Sequence, residues 1–154
     1  MLDLVADVLL DLLSTPSAWT NADDAAADDA MSRVLRTRAP LPFIERRARR
    51  PGVVGAIAIE EGDTIVLALA SANRDQSGRD LPHLALGAGT HSCLGGHLLR
   101  TVTRCAVREL ARVMPDAVIR AGGVERDETT LAFRGLAHLW VQPSGARNAR
   151  LESP

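Results

Sequence analysis

The sequence predicts an α+β fold, mainly helical with a small antiparallel sheet. Two observations carry that expectation. Apolar residues recur at helical spacing over Leu2 to Leu13 and again over Leu98 to Val113. Between them, Val53 to Ile59 and Thr64 to Ala70 are short strand-like runs flanking a turn sequence. The chain has 154 residues, 46% of them hydrophobic, which suffices for one domain with a sizeable core. That domain is assigned to residues 1–142, and residues 143–154, rich in Arg, Ser, Gly and Pro, read as a disordered tail.

In the first helix Leu2, Val5, Ala6, Leu9 and Leu13 share one face, and Asp3, Asp7 and Asp11 recur every fourth residue on another. Like charges at that spacing read as a solvated stripe. The helix stops at Ser14-Thr15-Pro16, because proline has no N–H to donate to the preceding turn. A second helix enters through the acidic, alanine-rich run Asn21 to Asp29, whose carboxylates suit the positive end of a helix dipole, and ends near Arg38 before Pro40. Val53, Val54, Ala56, Ile57 and Ile59 then form one strand, Glu60-Glu61-Gly62-Asp63 a hairpin turn, and Thr64 to Ala70 the returning strand. Ser71 to Leu84 has little apolar periodicity and reads as loop. The helix from Leu98 to Val113, with Leu99, Val102, Ala106, Leu110 and Val113 at successive turns, is expected to be the most buried element. Thr129 to Phe133 and Ala137 to Gln142, joined by Arg134-Gly135, are the remaining strand candidates.

Composition excludes several classes of function. A formal net charge of -1 gives no field for non-specific nucleic-acid binding, although all 18 basic residues are arginine. No apolar run reaches the ~18 residues that cross a bilayer. The first helix is acidic where a signal peptide is basic, so a cytoplasmic location is expected. The two cysteines, Cys93 and Cys105, supply neither a disulfide framework nor the paired spacing of a zinc site.

The informative stretch is Leu86-Gly87-Ala88-Gly89-Thr90-His91-Ser92-Cys93-Leu94-Gly95-Gly96, followed at once by a helix. Its glycines let the backbone take positive φ and approach something flat. Its single cysteine stands before a helix N-terminus, whose free N–H groups and dipole stabilise a thiolate, the form that binds iron. The arrangement suits an axial metal ligand.

These residues resemble the cysteine-ligand loop of the cytochrome P-450 family, F-x-x-G-x-[HR]-x-C-x-G: Gly89, His91, Cys93 and Gly95 match, and Leu86 replaces the aromatic residue. The resemblance covers the chain except its tail, roughly the C-terminal third of a full-length member. Leu2 to Trp19 resembles the end of the family's long central helix and the helix after it. Met31 to Arg36 resembles the E-x-x-R helix, Pro40 to Gly62 the strand segment, Ala72-Asn73-Arg74-Asp75 the A-N-R-D turn, and Arg134-Gly135-Leu136 the last hairpin. The resemblance implies that Cys93 is the thiolate ligand of a haem, with His91 and Arg46 on the propionates and Gly89 beside the ring.

The chain also departs from that pattern. Arg33 stands where the family has its glutamate, so the buried Glu/Arg pair cannot form although Arg36 remains. The segment between Asp75 and Pro82 is short and lacks the D-P-D-R-F run, and Met1 falls just beyond the acid–threonine motif that activates oxygen. A self-sufficient monooxygenase is therefore not expected. The favoured expectation is a haem-free protein of natural-product biosynthesis that needs no cofactor. Its apolar pocket, near Leu41, Phe43, Ile44 and His97, would bind a small molecule and promote a cyclisation or isomerisation by positioning. The alternatives are a haem-thiolate protein using Cys93 and a non-catalytic accessory subunit. A homodimer is expected, its interface including Leu2, Val5, Leu9 and Phe43, with neither nucleic acid nor membrane as partner.

Overall fold

The computed structural model describes residues 2–75, 82–127 and 135–145. Their order is α1 (Leu2–Leu13), α2 (Pro16–Thr20), α3 (Asp24–Thr37), β1 (Ile44–Arg47), β2 (Gly52–Val54), β3 (Ile57–Ile59), β4 (Thr64–Leu67), α4 (Leu69–Asp75), a 3-10 turn (Gly89–His91), α5 (Gly96–Val113), β5 (Ala117–Arg126) and β6 (Leu136–Pro143). The fold is α+β as expected, with its strands in three separate two-stranded antiparallel sheets, β1–β4, β2–β3 and β5–β6.

The core lies between α1 and α3. Leu4, Val8, Leu12 and Leu13 of α1 meet Ala27, Ala30, Met31, Val34 and Leu35 of α3, joined by Trp19, Val107 and Ala117. Burying a leucine or methionine side chain contributes about 1.5–3 kcal/mol each, so this pair of helices dominates the fold's stability. The start of α3 is fixed by Asp23, whose Oδ1 accepts a 2.8 Å hydrogen bond from the Ala26 N–H. The short helix α2 is docked by Trp19, whose Nε1 donates to the Met114 carbonyl at 3.0 Å just past the end of α5.

Several expectations need correction. The segment Leu98 to Val113 is helical, but it is not the most buried element: only Thr103 and Val107 of α5 are fully buried. It lies on one side of the α1/α3 pair, and three of its arginines reach across to carboxylates of α3. Arg104 pairs with Asp28, Arg100 with the same carboxylate at 3.1 Å and Arg108 with Asp24 at 3.6 Å. Of the α1 carboxylates only Asp3 is exposed, and Asp7 and Asp11 do not belong to a solvated stripe. Asp7 is 3% exposed and receives Arg38 at 3.0 Å and Arg126 at 3.6 Å, while Asp11 receives Arg33 at 2.9 Å. Of the residues expected at a dimer interface, Val5 is buried within the chain and Leu9 is partly buried against its core.

The strand pairing also differs. Val53 to Ile59 is a hairpin in itself, β2–β3, turning at Gly55 with φ 60°. Glu60 to Asp63 is a turn, with Asp63 Oδ2 accepting from the Glu60 N–H at 2.8 Å, but it hands the chain to another sheet, where β4 pairs with β1. Leu69 to Asp75, expected as the end of a strand and a loop, is helix α4. Strand β5 carries no clean alternation because Gly122-Gly123 interrupts it. The β5–β6 register shifts between Ile119 and Val124, Gly122 has φ 70°, and a Cβ at Gly123 would stand 2.7 Å from two carbonyl oxygens. The candidate strand Thr129 to Phe133, the short segment between Asp75 and Pro82, and tail residues 146–154 lie outside the described residues, while β6 runs to Pro143. Among the described residues, no helix is long and apolar enough to cross a membrane.

Candidate functional site: the Cys93 loop

The loop from Leu84 to Gly95 is held by its own backbone. The Gly87 N–H donates to the Leu84 carbonyl at 2.9 Å, and the Cys93 N–H returns to the Leu86 carbonyl at 2.7 Å. Gly87 has φ 73°, and a Cβ there would lie 2.2 Å from the His91 carbonyl oxygen, so the loop closes only around glycine. Gly89 also has positive φ, 56°, and opens the 3-10 turn that carries His91. The Ser92 hydroxyl donates to the Gly89 carbonyl at 2.8 Å and locks the exit of that turn. The Gly96 N–H donates to the Cys93 carbonyl at 3.2 Å, and α5 begins.

This loop presents its sulfur. Cys93 is exposed, its neighbour Leu94 is fully exposed, and the positive end of the α5 dipole lies three residues beyond. A sulfur in that field, on a backbone that cannot relax, is a preformed single donor. Among the described residues no group of three or more His, Cys, Asp or Glu side chains could hold a metal ion by themselves.

The other sequence-derived candidates fall on two segments. Gly89, His91, Cys93 and His97 belong to the loop and the first turn of α5, with both histidines exposed. Leu41, Phe43, Ile44 and Arg46 belong to the approach to β1 and to β1 itself. Leu41 and Phe43 are each 37% exposed, Ile44 is half-buried, and Arg46 is exposed, its Nη1 donating to the Glu45 carbonyl at 2.8 Å. Among the described residues no hydrogen bond or ion pair joins the two groups directly. None of them lines the hollows along Asp11, Arg33 and Arg38 or along Val54, Ile57 and Ile65.

The connection between the groups runs through α4. The Ala70 N–H donates to the Pro42 carbonyl at 2.9 Å, tying α4 to the segment before β1. Asn73, fully buried, donates from Nδ2 to the Leu35 carbonyl of α3 at 3.4 Å and accepts at Oδ1 the Leu84 N–H at 2.7 Å. Sequence reasoning gave Asn73 no role, since an asparagine in a polar stretch carries no signal of burial. His83, next to Leu84, is half-buried. Burial, and then the charges of Arg36 and Arg100, hold its pKa below the ordinary histidine value. Across α5 the hydrogen bond from Arg104 holds Asp28 below the usual carboxylate range, and the same bond raises Arg104.

No family model matches the chain. It is 32% identical over 126 residues to the cytochrome P450 YjiB of Bacillus subtilis, covering 73% of this chain and 32% of that protein. To the methyl-branched lipid omega-hydroxylase of Mycobacterium tuberculosis it is 34% identical over 112 residues, 65% of this chain and 26% of the relative. The ligand-free crystal structure of CYP164A2 from Mycobacterium smegmatis superposes with a TM-score of 0.77 at 29% identity, over 90% of this chain and 38% of that one. The chain thus spans about a third of the length of the proteins it matches.

Proposed function

We propose, from the premise that this chain belongs to the cytochrome P450 family, that it supplies the cysteinate side of a haem site. The observation that carries the reading is the Cys93 loop, which holds an exposed sulfur at a helix N-terminus on a backbone only glycine can follow at position 87. The residues fit the group. Cys93 would supply the thiolate to the iron, Gly89 leaves open space beside it, and His91 and Arg46, both exposed hydrogen-bond donors, would meet the propionates. Haem ligated by a cysteinate supplies the redox chemistry of oxygen activation when bound. This chain's own part is to fix the sulfur, neutralise the propionates and offer Leu41, Phe43 and Leu94 as apolar surface beside them. Hydroxylation of an organic substrate belongs to an assembly that also closes the opposite face of the ring. A second copy of this chain, in a cytoplasmic homodimer meeting through that exposed apolar surface, is the proposed partner, and light scattering checks it.

A second reading is kept because of one observation. Arg33 occupies the place of the family's glutamate and is committed to Asp11 at 2.9 Å. A chain that had given up haem would tolerate that change. It would use the surface near Leu41, Phe43, Ile44 and His97 for a non-redox step on an apolar small molecule. Reconstitution with haem separates the two. A Soret band with the red-shifted carbon-monoxide complex of thiolate ligation, abolished in Cys93→Ser, supports the first. A colourless chain that binds no haem overturns it.

A further inference from the structure

We infer that Asn73 is the positioning residue of the Cys93 loop, clamping the loop's first backbone amide to α3 and so setting where the sulfur stands. The inference rests on the haem-site reading for its purpose, but not for its geometry. Asn73 is one of three polar side chains buried among the described residues, and the only one of them that bridges two other segments by hydrogen bonds from both ends of its side chain. Thr103 turns back to its own helix at Leu99, and Asp7 meets arginines. On one side Asn73 meets the Leu35 carbonyl near the C-terminus of α3, which lies in the core. On the other it takes the Leu84 N–H at 2.7 Å, and Leu84 is the residue whose carbonyl receives the Gly87 turn. From Gly87 the next hydrogen bond is Leu86 to Cys93. Four hydrogen bonds, of 2.7 to 3.4 Å, therefore run from the core to the cysteine, and the two that a side chain makes are those of Asn73. The loop is exposed from Gly87 to Gly95, and its apolar anchors, Ala85 and Leu86, are only partly buried against the core at its start. A fully buried amide side chain satisfied at both ends is directional in a way that an apolar contact is not.

The test uses the chain in a Cys105→Ser background, so that Cys93 is the single thiol. In Asn73→Ala the Leu84 N–H loses its acceptor. Far-UV circular dichroism should stay at the parent value while amide exchange at Leu84 and the alkylation rate of Cys93 change by about tenfold, as the loop opens locally rather than with the whole fold. Asn73→Asp keeps the acceptor toward Leu84 but loses the Nδ2 donor to the Leu35 carbonyl, so amide exchange at Leu84 should return toward the parent value while the alkylation rate of Cys93 stays changed, the loop being no longer tied to α3. Haem-loaded samples should show a weakened thiolate signature in both variants. Unchanged alkylation and exchange in a folded Asn73→Ala would overturn the inference, as would a folded Asn73→Asp variant whose Cys93 alkylates at the parent rate. Global unfolding of both variants would reduce Asn73 to an ordinary core contact and overturn it too. Because alkylation and exchange are read without haem, a chain that passes them but takes up no haem refutes the proposed function and leaves the role of Asn73 standing.

Discussion

The α1/α3 layer and the Cys93 loop are built on opposite terms. In the helical layer Val8, Leu12, Met31, Val34 and Leu35 are almost wholly removed from water, and even a carboxylate, Asp7, is buried with arginine partners. In the loop no residue from Gly87 to Gly95 is buried, and order comes from positive-φ glycines and backbone hydrogen bonds. One region holds itself by area and the other by geometry. The contrast explains how a sulfur can be both exposed and fixed: its loop borrows rigidity from the core through Asn73 and through the partly buried Ala85 and Leu86 at its start.

The largest expected effect tests that contrast directly. Leu35→Ala removes a fully buried side chain and should cost about 2–5 kcal/mol in urea unfolding, whereas Leu94→Ala, at a fully exposed position, should change stability by less than about 0.5 kcal/mol. A Leu94→Ala cost approaching that of Leu35→Ala would break the comparison, because the loop would then carry hidden packing, as in a dimer. Next in size is Asp7→Ala. It removes a buried carboxylate from Arg38 and Arg126, which are 34% and 38% exposed and so can turn to water. The expected cost is therefore at the lower end of what breaking a buried pair exacts, about 1–3 kcal/mol, read from the same urea curves.

A smaller effect should appear on acidification. His83 has its pKa lowered in the folded chain, so below the ordinary value of 6.5 the unfolded chain binds the proton first. The stability that His83 contributes is complete above that value and is lost as pH falls through the folded pKa. Asp28, also lowered, adds a second loss below its ordinary 3.8. Urea midpoints should therefore decline as pH falls below the ordinary histidine value, and His83→Gln should flatten that stretch while leaving the one below the ordinary carboxylate value. An identical slope in His83→Gln would remove His83 from the account and assign the decline to other groups.

How much of this could be read from the residues follows the same division. Helix α1 matches Leu2 to Leu13 to the residue, and α3 begins beside its acidic entry, because apolar spacing, Pro16 and the Asp23 cap are local signals. The Cys93 loop was legible from its glycines and single cysteine. Burial was not. The α5 pattern is as amphipathic as that of α1, yet α5 contributes few fully buried residues, since periodicity reports a face and not how much lies against it. Pairing was not legible either, because β1 finds β4 across a hairpin that intervenes in sequence, and Gly122-Gly123 hides the alternation of β5. Asn73 depends on partners 11 and 38 residues away and Asp7 on Arg38 and the still more distant Arg126, which no local pattern encodes.

The smallest stability effect is also the sharpest question about the site. Arg33 is 55% exposed and its pair with Asp11 at 2.9 Å is of the kind worth no more than about 1 kcal/mol. Arg33→Ala should therefore cost about 0.5 kcal/mol. Arg33→Glu should cost slightly more, because the new carboxylate faces Asp11 while gaining Arg36 one turn along the helix. Stability alone would rank the glutamate variant as the poorer protein. Haem binding should rank it the other way, because that substitution restores the acidic residue of the E-x-x-R pattern on the rim of α3, the helix to which Asn73 ties the Cys93 loop. Haem retention measured by gel filtration of the parent, Arg33→Ala and Arg33→Glu should rise only in the last. Equal retention in all three would show that the charge at position 33 belongs to the helical layer and has no influence on the loop.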